Sequence, residues 1–155
     1  FPIGITVETP AAILLAEDLA ACCDFFSIGT NDLTQYLLAT DRGNNHVAKL
    51  HSPFHPSVVR SIQRAVQAAH AHGIPCGLCG SFAGNLRATP LLLGLGVDAL
   101  SAPASILPQL KERVRGITLK EAQQLAHAVC GMHSTEEIFR AVCAFSPKKT
   151  EGGRE

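Results

Sequence analysis

The sequence predicts an α/β fold built on a parallel sheet, and three observations predict it. Four short apolar runs, over 3–7, 25–28, 74–80 and 97–101, have the length and composition of buried strands. Segments with apolar residues at helical spacing alternate with them, over 11–23, 33–40 with 57–72, 87–95 and 104–115. Third, the residues best suited to chemistry, Glu8, Asn31-Asp32 and Cys79, all fall at or just past the end of a strand. In such sheets the carboxyl ends of the strands are where ligands bind.

The first strand is the β-branched run Ile3-Gly4-Ile5-Thr6-Val7. Glu8 ends it, Thr9 is a good N-cap and Pro10 suits the first helical position. The helix over 11–23 is apolar almost all round, with Glu17 and Asp18 its only charges, and reads as mostly buried against the sheet. Phe25, Phe26 and Ile28 form the second strand, Gly29-Thr30 breaks it, and Leu33, Tyr36, Leu37 and Thr40 follow at helical spacing. Asn31 and Asp32 therefore sit at a strand-to-helix turn, where unpaired backbone N–H groups attract anions. Two readings fit them. Asp32 can hold a hard cation such as Mg²⁺ while Arg42 grips a phosphate bidentately, or the pair simply caps a helix and Arg42 lies on the surface.

A turn-rich loop over 43–56 leads to the helix at 57–72, whose Val58, Val59, Ile62, Ala65, Val66 and Ala69 make one apolar face. Arg60, Arg64 and His70 fall between these positions and read as a solvated face. Gly73 closes the helix. His46, His51 and His55 in the loop read as structural or exposed, since an acid–base role needs geometry first. The third strand holds Cys76 and Cys79. Residues three apart on a strand point to opposite faces, so the two sulfurs do not meet. Cys76 reads as a small buried residue. Cys79, at the carboxyl end, is a thiol able to give a proton to a carbon. After the helix at 87–95 and the strand at 97–101, Pro108 is tolerable only in the first turn of the helix at 104–115. Thr118-x-x-Glu121 and Ser134-x-x-Glu137 are capping boxes opening two further helices, over 119–130 and 136–145. Residues 146–155 hold no large apolar side chain and read as a disordered tail, leaving 1–145 as the folded domain.

Composition narrows the function. Lysine plus arginine and aspartate plus glutamate both number 13, so no overall field favours nucleic acid or a membrane surface. No apolar run reaches a membrane span and no signal-peptide pattern opens the chain. The six cysteines, irregularly spaced and including the adjacent Cys22-Cys23, read as reduced thiols of a cytoplasmic protein. The seven histidines lack zinc-ligand spacing.

The run IGTNDLTQYLLATDRGN resembles the signature of the phosphoenolpyruvate-utilising enzymes, and within them the enzyme I branch of the bacterial sugar phosphotransferase system (phosphoenolpyruvate–protein phosphotransferase). GITVETPAA before it and HSPFHPSVVR, GIPCGLCG and ATPLLLGLGVDALSAPAS after it extend the likeness over about 3–115. Pyruvate phosphate dikinases and phosphoenolpyruvate synthases share the GTND core and diverge after it. The resemblance implies that Glu8 and Asp32 are ligands of Mg²⁺, and that Asn31, Asp32 and Arg42 bind the substrate. It makes Cys79 the acid that protonates the enolate of pyruvate. One departure stands out. The family continues its C-G with Glu, whereas this chain has Ser81, and Asn85 stands where Asp is common.

Four βα units make half of an eight-stranded barrel. The resemblance implies the second half of a phosphoenolpyruvate/pyruvate-binding (β/α)₈ (TIM) barrel, with two extra C-terminal helices. The reaction implied is Mg²⁺-dependent transfer of the phosphoryl group of phosphoenolpyruvate to a histidine on another domain, which feeds sugar uptake. The family's further substrate-gripping arginines belong to the first barrel half, and its acceptor histidine to an N-terminal domain. The expectation is therefore a fragment, a truncated product or half of a complementing pair, inactive by itself. Its expected partners are phosphoenolpyruvate and pyruvate, a histidine phosphocarrier domain or protein, and the missing barrel half or a second copy in a homodimer. Nucleic acid and membrane are not expected. The alternatives are a catalytically dead or regulatory remnant that at most binds phosphoenolpyruvate, and a fragment of a dikinase or synthase.

Overall fold

The computed structural model describes residues 1–41 and 43–146. Four strands form one parallel sheet in the order β1-β2-β3-β4: β1 Gly4–Val7, β2 Phe25–Gly29, β3 Cys76–Cys79 and β4 Ala99–Leu100. Each strand lies beside the next in sequence. Crossovers of one hand then carry every connecting helix to the same face of the sheet. That face is apolar: Val7, Phe26, Ile28, Cys76 and Leu78 are buried in the core. Residues of opposite parity, Thr6, Phe25, Ser27, Gly77 and Ala99, point to the other face and are half-buried or exposed.

The helices are α1 Pro10–Leu14, α2 Ala16–Ala20, α3 Thr30–Leu38, α4 Pro56–Ala71, α5 Thr89–Gly94, α6 Leu107–Arg115, α7 Leu119–Cys130 and α8 Thr135–Ala144. A short 3₁₀ turn at Ala48–Leu50 precedes α4. The expected single helix over 11–23 is corrected to two, separated at Leu15, and its expected burial is corrected as well. Only Ile13, Ala16 and Ala20 are buried, while Leu14 and Leu15 are more than half exposed. A helix lying on one side of a sheet can bury only one stripe. Thr9 caps α1 as read, its Oγ1 accepting from Ala12 N–H at 3.2 Å, with Pro10 in the first turn. Pro108 likewise lies in the first turn of α6.

The reading of Arg60, Arg64 and His70 as merely solvated is also corrected. Each is exposed, yet each joins α4 to another element. Arg60 donates to Cys130 O at 3.1 Å and to Met132 O at 2.8 Å, satisfying carbonyls at the end of α7. Arg64 donates to Leu14 O at 3.2 Å, beside the break between α1 and α2. His70 Nε2 pairs with Asp98 Oδ2 at 2.8 Å, and the same oxygen accepts from Cys76 N–H at 2.8 Å. Of the two expected capping boxes, Ser134 with Glu137 forms the reciprocal pair. Thr118 Oγ1 accepts from Glu121 N–H at 3.4 Å and donates to the Glu121 carboxylate at 2.6 Å.

Phe54 stacks edge-on against Phe82 at 5.0 Å and against Phe139 at 5.3 Å, which holds the loop before α4, the loop after β3 and α8 together. All six cysteines are free thiols. Among the described residues no helix is long and apolar enough to cross a membrane. Apart from Ser146, the expected tail lies outside the described residues.

Candidate functional site

β1, β2 and β3 run in register, so their carboxyl ends lie side by side. Val7 is level with Ile28, and Gly29 with Cys79. The residues singled out in the sequence fall at this end. Glu8 follows β1 directly, Asn31 and Asp32 occupy the first turn of α3, and Cys79 is the last residue of β3. All four are half-buried. Arg42 lies outside the described residues.

Close approach between strand ends depends on two glycines. A Cβ at Gly29 would stand 2.5 Å from Glu8 Oε2, so the absence of a side chain there leaves room for the carboxylate between β1 and β2. Gly80 has φ +93°, a left-handed conformation that favours glycine, and a Cβ on it would stand 2.6 Å from Thr30 Oγ1. Thr30 Oγ1 in turn donates to Cys79 O at 2.7 Å. The end of β3 is thereby locked onto the start of α3.

The two cysteines separate as their spacing predicts. Cys76 is fully buried on the helix-covered face, and burial, with Asp98 adding to it, pushes its thiol up to about 12. It stays a neutral thiol at any physiological pH. Cys79 lies on the other face, its Sγ donating to Ile28 O at 3.4 Å and accepting from Ser27 Oγ at 3.7 Å. Its sulfur thus sits among polar groups at the end of the sheet that carries the acidic residues.

Two further residues hold this corner, and the sequence did not single them out for it. Ser81 donates to Asn31 Oδ1 from its hydroxyl at 2.7 Å and from its backbone N–H at 3.3 Å. His51 Nε2–H donates to the Asn31 carbonyl at 3.2 Å. The bonds span 50 and 20 residues, so no local pattern announces them. His55, also read as structural or exposed, accepts from Ser57 N–H at 3.2 Å through Nδ1 and caps α4.

The donors at the mouth suit a hard cation. Among the described residues no three His, Cys, Asp or Glu side chains gather into a cage. Magnesium does not require one, since it is commonly held by one or two carboxylates, waters and substrate oxygens. Glu8 beside the bare Gly29 and Asp32 at the next strand end supply a donor set of that chemistry.

Comparison with known proteins gives the family. The family described as PEP-utilising enzyme, PEP-binding domain matches residues 1–119. A phosphoenolpyruvate-protein phosphotransferase of Buchnera aphidicola (subsp. Acyrthosiphon pisum) is 46% identical over 140 residues, 90% of this chain and 24% of that protein. One from Haemophilus influenzae is 45% identical over 143 residues, 92% of this chain and 25% of that protein. Multiphosphoryl transfer protein 1 of Escherichia coli K12 is 40% identical over 147 residues, covering 95% of this chain and 18% of that protein. The chain spans about a quarter or less of the length of these relatives. With strand ends, glycine and half-buried polar residues laid out as above, and with more than two-thirds of its length matched, the chain belongs to the family of PEP-utilising enzymes.

Proposed function

We infer that this chain is the phosphoenolpyruvate-binding catalytic part of a cytoplasmic phosphoenolpyruvate–protein phosphotransferase. Its reaction moves the phosphoryl group to a histidine of a phosphocarrier domain or protein and feeds sugar uptake. The observation that carries the reading is the convergence of Glu8, Asn31, Asp32 and Cys79 at one end of a parallel sheet, in a chain whose phosphotransferase relatives reach 46% identity. The sheet winds in one direction with one face left bare, which accords with the second half of a (β/α)₈ barrel.

Glu8 and Asp32 would hold Mg²⁺, which when bound supplies charge neutralisation at the phosphate and the enolate oxygen. Asn31, at the start of α3, offers its side-chain amide and the helix N-terminus to anionic oxygens of the substrate. Arg42, in the TDRGN run after α3, is the further phosphate ligand of this reading. When the P–O bond to the enol breaks, its electron pair remains on the enolate oxygen. The Cys79 thiol then gives its proton to the enolate carbon, leaving a thiolate and pyruvate. This reading of Cys79 is supported by the Thr30 bond to its carbonyl and by the contacts of its sulfur with Ser27 Oγ and Ile28 O.

The test uses the intact protein that carries this chain, with phosphoenolpyruvate, Mg²⁺ and a phosphocarrier. Histidine labelling from phosphoenolpyruvate is the expected result, with Glu8→Gln and Asp32→Asn each lowering turnover by about 100-fold or more and raising the Mg²⁺ concentration needed. Unchanged Mg²⁺ dependence in both variants refutes the metal assignment. Phosphoenolpyruvate binding without any transfer would favour the remnant reading, for which replacement of the family's Glu by Ser81 is the motivating observation.

A further inference from the structure

The loop after β3 reaches back across the sheet to a single amide. Ser81 gives Asn31 Oδ1 two hydrogen bonds, and the backbone N–H among them can only donate. The atom it meets is therefore the carbonyl oxygen, which fixes which way the amide is turned. The Asn31 NH₂ is left as the free end, with no acceptor among the described residues. Ser81 itself is exposed, but its neighbours do not yield. Gly80 is confined by its positive φ and by Thr30, and Phe82 is buried against Phe54.

We propose that Ser81 is a positioning residue for phosphoenolpyruvate, orienting the Asn31 amide so that its NH₂ donates to an anionic oxygen of the substrate. This rests on the function inferred above and deepens it. A turned amide would present its oxygen to the anion and repel it, so the orientation decides whether Asn31 helps or hinders. The backbone N–H bond is open to any residue at this position, whereas the shorter side-chain bond is specific to a hydroxyl. The side chain of an ionised glutamate, which the family's motif carries there, only accepts and cannot add this second bond to Asn31 Oδ1. His51 completes the arrangement by holding the Asn31 backbone carbonyl.

The test is a double-mutant cycle in the intact protein, reading KM and kcat for phosphoenolpyruvate, its Kd and the thermal midpoint. Ser81→Ala should raise Kd and KM roughly 3- to 10-fold, the range of one net hydrogen bond, with the thermal midpoint unchanged. Ser81→Thr keeps the hydroxyl and should restore wild-type values. In an Asn31→Ala background Ser81→Ala should change nothing further, because its effect passes through the amide. An equal effect in both backgrounds, an unchanged KM in Ser81→Ala, or a Ser81→Thr as impaired as Ser81→Ala would overturn the proposal while leaving the inferred function standing. Wild-type protein that does not bind phosphoenolpyruvate would overturn both.

Discussion

Cys76 and Cys79 lie three residues apart on β3 and meet opposite surroundings, which makes them a matched pair for experiment. Cys79→Ala in the intact protein should lower turnover by about 10²–10⁴-fold, the usual cost of a lost general acid, with phosphoenolpyruvate binding nearly intact. Cys76→Ala should cost on the order of 1 kcal/mol of stability and no chemistry. Equal kinetic losses would sink the assignment of Cys79. Cys76 also predicts a pH dependence. Its folded pKa of about 12 lies above the unfolded value of 9.0, so its contribution is complete below the lower value and is lost as pH rises toward the upper one. The stability advantage of wild type over Cys76→Ala should thus shrink by up to roughly 1.4 kcal/mol per pH unit in that window. Denaturant midpoints measured across it check this, and a constant difference would contradict it.

Among the elements, α4 is joined to its neighbours by exposed polar groups around an apolar stripe. Asp98 joins the end of α4 to the start of β3. Burial raises its pKa, but the Cys76 N–H bond and the bond and charge of His70 outweigh that and hold it below the usual carboxylate range. A depressed folded pKa contributes stability that is present above the unfolded value and lost as pH falls through the folded one. Asp98→Asn should therefore lower stability at neutral pH and narrow the difference from wild type in acid. With His70 and Asp98 both about two-fifths exposed, the effect should stay near the low end for hydrogen-bonded charges, about 1 kcal/mol. A pH-independent difference between the two proteins would refute it. These links were not legible locally: Arg60, Arg64 and His70 alternate with the apolar positions as solvated residues do, and their partners are 70, 50 and 28 residues away.

For the whole molecule, the bare face of the sheet is the feature that matters. Phe25 stands on it and is 37% exposed. If that face is a barrel interior in the intact protein, Phe25→Asp places a charge in it and should cost about 3 kcal/mol or more. On an open sheet the same change loses only the partial burial of the ring over Gly4 and should cost about 1–2 kcal/mol. Urea denaturation of the intact protein distinguishes them, and a loss no larger than the open-sheet cost would overturn the half-barrel reading.

Local patterns in the chain suffice for the alternation of strands and helices, the caps at Thr9, Thr118 and Ser134, and the placement of Glu8, Asn31, Asp32 and Cys79 at strand ends. Those features arise from periods of two and 3.6 residues and from turn chemistry, all of which act within a few positions of the chain. Local spacing places Cys76 and Cys79 on opposite faces for the same reason. The tertiary structure alone decided that α1 and α2 are separate and largely exposed on one side, that the cations of α4 reach other elements, and that Ser81 faces Asn31. Parallel strands place side by side residues separated by a whole crossover, and a contact spanning 50 residues leaves no trace in the pattern on either side of it.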